Sequence, residues 1–185
     1  MSQTIYVWLI LACGLFWLVG VYNRLMRLRS RALDVSAALD KQVMVCVRLV
    51  ATQAAATDQS DEASAQAPFA PFDECWLQLL QANRFAEAVW GASRKNRLSD
   101  EAQQRRAESW GHLQDAWNAW LAQPPDLAGA RVPDTLAIEW EANSAKVLVI
   151  KEALNRILES YNDAIQQYPA RCVSGILGFG AIAPL

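Results

Sequence analysis

The pattern of apolar and polar positions divides the chain into two regimes. From Ile5 to Tyr22 it reads IYVWLILACGLFWLVGVY, 18 residues without a charge. As a helix rising about 1.5 Å per residue this stretch spans roughly 27 Å, close to the hydrocarbon thickness of a bilayer, and predicts a transmembrane helix. Beyond it apolar residues return at spacings of three and four, at Leu25, Leu28, Ala32, Val35, Leu39, Cys46 and Leu49, with Gln42 in the same row and no glycine or proline before Pro68. That periodicity predicts that the membrane helix continues unbroken as an amphipathic one. It is expected to fade in ATQAAATDQSDEASAQAPFAP, Ala51 to Pro71, as a surface loop.

A second helix is predicted from Phe72 or Asp73, with Trp76, Leu79, Leu80, Phe85 and Val89 on one side and Gly91 as its stop. Its end is basic, at Arg94, Lys95 and Arg97. Ser99 followed by Asp100 and Glu101 is a helix start, because a serine side chain can cap the first free N–H groups and acids suit the positive end of the helix dipole. Trp110, Leu113, Trp117 and Trp120 then recur at core spacing in a third helix. LAQPPDLAGARVPD is turn-rich, and a fourth helix begins around Asp134. In it Trp140, Val147, Leu154, Tyr161 and Tyr168 repeat every seven residues, flanked by Ile150, Ile157, Leu158 and Ile165, a coiled-coil-like seam over four heptads. No strand-like alternation competes, so the fold class is all-α, an N-terminal transmembrane helix continuing into an antiparallel helical bundle. Residues 1–23 form the anchor and 24–185 the bundle with an apolar C-terminal tail.

A cleaved signal peptide is the rival reading of the first segment. It is disfavoured because no basic residue precedes the segment, which is longer than a usual signal core and lacks a small-residue exit. Arg24, Arg27, Arg29 and Arg31 follow the segment, whereas MSQT ahead of it carries no basic side chain. The positive-inside bias therefore places the N-terminus outside and the bundle in the cytoplasm. Tyr6, Trp8, Trp17 and Tyr22 lie toward the two ends of the span, where amphipathic rings favour the interface. The same arginines are candidates for membrane-surface contact, since a juxtamembrane cation gains about 1 kcal/mol from anionic lipid.

A net charge of −2 and a pI near 5.4 give no overall basic field, which argues against nucleic acid as a partner. Cys13, Cys46, Cys75 and Cys172 stand far apart and, with His112 as the single histidine, offer no metal-ligand spacing. They are expected to be small hydrophobes in a reducing compartment, and no cofactor is implied. The eight tryptophans supply large apolar area, and their helical spacing points to core in preference to a ligand pocket.

The last helix carries LN at Leu154 and Asn155, YN at Tyr161 and Asn162, and YP at Tyr168 and Pro169, seven residues apart, and leads to GILGFG. This resembles the LemA family, whose members have a similar heptad-spaced YN pattern and a short apolar tail with a GF step. YNRLMRLRSRALDVSAALD, Tyr22 to Asp40, is similar to the segment that follows that family's anchor. The chain departs from the family at Val35 and Ser36, where a tryptophan-serine step is usual, in VMVCVR from Val43 to Arg48, and through residues 51–133. The resemblance implies a stalked helical bundle in a bacterial inner membrane and carries over no catalytic residue. The two asparagines follow core positions by one step, so they either bond across to the first helix or stay solvated on its flank.

Three functions fit these features. The first is a membrane-anchored scaffold or interaction protein with an unidentified protein partner, its oligomeric state open. The second is a binder of lipid or a small apolar ligand, which would need an enclosed apolar pocket. The third is an enzyme, which would have to draw on Asp34, Asp40, Glu139, Glu141, Glu152, Glu159 or Asp163 at helix-face spacing, with no histidine or nucleophile motif beside them. The tail adds Ile176, Leu177 and Phe179 as a candidate docking element, flanked by Val173 and Ile182, because so apolar an end is expected to be covered.

Overall fold

The computed structural model describes residues 2–63, 74–123, 132–167 and 180–185, with side chains of the first helix from Ile5 to Thr57. Four helices, α1 Ser2–Ala63, α2 Glu74–Ala92, α3 Asp100–Leu121 and α4 Asp134–Gln166, make up the fold, and a 3-10 turn, Ser93–Lys95, joins α2 to α3. No strand occurs among the described residues.

The helices run up, down, up and down. Asn83 Nδ2 of α2 donates to the Val47 carbonyl of α1, and Ser93 just past α2 reaches the level of Ser36, so α2 descends along α1. On the other flank Gln42 Nε2 donates to Asn143 Oδ1 at 2.9 Å, and Arg29 of α1 shares a cleft with Tyr161, so α4 descends as well. The closest helix pairings are α1 with α4 and α2 with α3. α3 and α4 meet through indoles, Trp140 stacking on Trp117 at 4.3 Å and on Trp110 at 6.1 Å between ring centroids, each tilted by 14°. The two distances together match the rise of about 10.5 Å over seven helical residues, so Trp140 fits between two rings of α3 as a knob enters a hole. Trp76 of α2 lies 4.8 Å from Trp120, and the tryptophan row is thereby filled core.

The heptad positions Trp140, Val147, Leu154 and Tyr161 are all buried, with Leu158 and Ile165. On α1 burial begins at Leu25, 1 % exposed, only three residues past the uncharged stretch, and continues through Ala32, Leu39, Val43, Cys46, Val47 and Val50. By contrast Ile5 to Val19 is bare, and the helix that carries it holds an 18-residue stretch long and apolar enough to cross a membrane. Span and bundle are one helix with no linker between them.

Three expectations change. α1 runs on to Ala63 where a loop was expected from Ala51, because that stretch is alanine-rich and holds no glycine or proline to stop it. Gly91 is the penultimate residue of α2, which runs one residue past the expected stop to Ala92. Phe85 is half exposed, since the buried row of α2 is Leu79, Asn83, Ala86 and Trp90. Ser99 caps α3 as its sequence predicts, its hydroxyl accepting from the Ala102 N–H at 3.3 Å. Of the cysteines, Cys46 is buried, Cys75 half-buried and Cys13 exposed on the bare span, while Cys172 lies outside the described residues.

Candidate functional site

The polar chemistry of the described residues collects at the end of the bundle next to the bare span. It starts from a buried ion pair. Extending the tryptophan row of α3 back by one turn reaches Arg106, which is fully buried, and the core row of α1 includes Ser36 and Asp40. Asp40 Oδ1 accepts from Arg106 Nη2 at 2.8 Å and Oδ2 accepts from Arg97 Nε at 2.6 Å. Arg106 Nη1 donates to Ser36 Oγ at 3.0 Å, its Nε donates to Ser93 Oγ at 2.7 Å, and the guanidinium lies 4.9 Å from the Trp90 ring centroid. Trp90 Nε1 in turn donates to Ser109 Oγ, which donates to the Arg106 carbonyl.

Every charge here has directional partners, as a buried pair requires before its attraction can offset the cost of leaving water. Burial lowers the Arg106 pKa, Asp40 works against that, and Arg97 adds to it. One carboxylate facing two guanidiniums leaves a positive surplus. One turn away, Gln103 is fully buried and neither its Oε1 nor its Nε2 has a protein partner among the described residues.

In front of this cluster opens a cleft of about 450 Å³ between α1, the 3-10 turn, the start of α3 and the C-terminal residues. Arg29, Lys95 and Arg97 bring cations to it, Asp100 a carboxylate, and Tyr161 a phenol whose pKa is raised by burial and lowered in part by Arg29, leaving it a neutral donor at ordinary pH. Arg29 and Lys95 are exposed, and neither makes an ion pair among the described residues.

The fourth wall is the chain's end, held by the two asparagines. Asn162 Nδ2 donates to the Ile182 carbonyl at 2.8 Å while its Oδ1 accepts from the Ile182 N–H at 2.9 Å. Asn155 treats Leu185 in the same way, at 3.1 and 2.9 Å. Seven helical residues rise about 10.5 Å and three extended residues about 10 Å, so heptad-spaced amides match every third peptide of an extended segment running antiparallel to the helix. The Ala183 N–H donates to Asp100 Oδ1 at 2.8 Å, which ties the segment to α3. The asparagines thus bond neither to α1 nor to water alone, contrary to both sequence-based alternatives.

Arg24, Arg27, Arg29 and Arg31 are all exposed, but at about 100° per residue they do not share a face. Arg24, Arg27 and Arg31 form one stripe, whereas Arg29 lies on another face and is the one that lines the cleft, together with Lys95 and Arg97. Ile176, Leu177 and Phe179 lie outside the described residues, though Ile182, three residues on from Phe179, is buried. Of the acidic candidates Asp40 belongs to the ion pair, and Asp34, Glu139, Glu141, Glu152, Glu159 and Asp163 are exposed.

A second, more open groove of about 590 Å³ between α2 and α3 carries Phe85, His112 and Asp115, with His112 edge-on to Phe85. No group of three potential metal ligands forms among the described residues. No protein-family model, curated protein or solved structure matches the chain.

Proposed function

We propose that this is a single-pass protein of a bacterial inner membrane, its N-terminus outside and its bundle in the cytoplasm, which works by binding and not by catalysis. The observation that carries the reading is α1: a bare apolar span passes without a break into a helix whose burial starts at Leu25. A removable leader has no need to supply the first helix of the domain it precedes. The arginines on the bundle side of the span support this orientation, and the likeness of the Tyr22–Asp40 and Leu154–Gly180 stretches to the LemA family supports the same architecture.

Binding is favoured over catalysis because the buried carboxylate, Asp40, already has both oxygens taken by guanidiniums. A protein partner has a surface to use on α4, where Ile138 and Val149, 66 % and 65 % exposed, line up with Ala142 and Ala145 at helical spacing.

The test has two parts. Alkaline carbonate should leave the chain in the membrane fraction, and protease added to sealed cells should spare everything after Arg31; digestion there overturns the orientation. A photoreactive residue at Ala145 should give a discrete adduct in native membranes that Val149→Lys removes. A ridge that gives no adduct is not an interaction surface.

A further inference from the structure

We infer that the cleft at the span end of the bundle is a binding site for the phosphate of an anionic phospholipid headgroup. The membrane-anchored reading supplies the source of the ligand, and the cleft itself supplies the chemistry. Four cationic groups, Arg29, Lys95, Arg97 and Arg106, stand here against two carboxylates, Asp40 and Asp100. Asp40 is consumed by Arg97 and Arg106, and Asp100, one oxygen of which accepts from the Ala183 N–H, makes no ion pair with Arg29 or Lys95 among the described residues.

Two unpaired cations from segments far apart in sequence, beside a neutral phenol donor, form a convergent site for an oxyanion. The position selects lipid. Arg29 stands seven residues past Tyr22, about 10 Å along the helix, while the headgroup layer extends roughly 5–8 Å beyond the hydrocarbon. The flexible Arg29 stem covers the remaining distance, and Lys95, on the turn that starts at the level of Ser36, lines the cleft from its far side. Arg24, Arg27 and Arg31 stand about 3 to 14 Å past Tyr22 on another face, where they meet the surface as a diffuse collar.

The experiment is calorimetric titration of the full chain in neutral detergent at fixed ionic strength with short-chain phosphatidylglycerol, short-chain phosphatidylcholine and inorganic phosphate. Phosphatidylglycerol should bind, and phosphatidylcholine should bind at least about tenfold more weakly. Arg29→Gln with Lys95→Gln should weaken phosphatidylglycerol by about tenfold or more, whereas Arg24→Gln, Arg27→Gln and Arg31→Gln together should change it by less than about threefold. All five substituted residues are exposed, so unchanged melting without ligand certifies the fold, and Lys95→Arg should retain binding.

No phosphatidylglycerol preference, or equal loss in the two variants, overturns the site. Inorganic phosphate binding as tightly, with the same dependence on Arg29 and Lys95, overturns the lipid source and leaves a soluble-phosphate site. Because the titration needs no bilayer, a chain that binds phosphatidylglycerol but washes off membranes refutes the anchor alone, and an embedded chain without the preference refutes the cleft alone.

Discussion

Asn162 and Ile182 exchange two hydrogen bonds, the asparagine amide meeting the isoleucine peptide as one strand meets another. Replacing Asn162 with Leu leaves that peptide with an unpaired donor and acceptor in partly buried surroundings, at about 1–3 kcal/mol for each orphaned group. The expected result is lower stability together with faster hydrogen exchange at residues 180–185. Unchanged protection of the C-terminal peptide would show that the amide does not hold it.

Asp40→Ala strands a buried guanidinium and should destabilise the detergent-solubilised chain by about 3–5 kcal/mol. Asp40→Leu combined with Arg106→Met removes both charges and should lose clearly less. Additive losses across that double-mutant cycle, measured by denaturant unfolding, would mean the pair is not coupled.

Gln103 presents the opposite case, a buried amide with no partner among the described residues. Gln103→Met keeps most of the volume and should raise stability by about 1–3 kcal/mol. A fall would show that the amide is satisfied by ordered solvent.

Leu154→Ala should cost about 2–5 kcal/mol, since the residue is fully buried in the α4 seam, while Asp163→Ala on the exposed side should stay within about 0.5 kcal/mol. Equal melting of the two variants would contradict the seam.

Burial pushes the Cys46 thiol from 9.0 up to about 12, outweighing a backbone hydrogen bond that lowers it. Between those values the unfolded chain releases the proton and the folded chain keeps it, so this contribution is intact below about pH 9 and is lost as pH rises toward 12. Tyr161, also raised by burial, adds in the same direction above its ordinary value of 10.0. Cys46→Val should flatten part of the alkaline fall in a melting-temperature series, and Cys46 should resist maleimide while the protein is folded. An alkaline profile identical to that of the unmodified chain would remove the thiol from the account.

Much of the fold was legible because each helix announces itself locally. The Ser99 cap, the tryptophan row and the α4 heptads from Trp140 to Tyr161 are signals carried within a few turns, and each falls where the spacing put it, while Tyr168 lies outside the described residues. Ends were less legible: nothing in the polar composition after Ala51 competes with helix once glycine and proline are absent, so α1 goes further than its pattern suggested. The site was legible only in pieces. Arg106 stands one step back along the same row as Trp110 and Leu113, where a charged residue at a core position is a signal for a buried partner, and Ser36 and Asp40 occupy the corresponding row of α1. Which charge meets which depends on the helices' relative register, and no single stretch encodes that. The seven-residue repeat of Asn155 and Asn162 was likewise visible, but its partner is an extended segment 20 to 30 residues further on.

The absence of a joint between the bare span and the bundle makes α1 a lever. From Tyr22 to Ala63 the helix extends about 60 Å, so a 10° change of tilt within the bilayer moves its far end by about 10 Å, a full helix diameter. α4, packed against α1 as its most extensive helix pairing, must travel with it. In the membrane-anchored reading, a change of span tilt with bilayer thickness is therefore geared to the position of the α4 ridge.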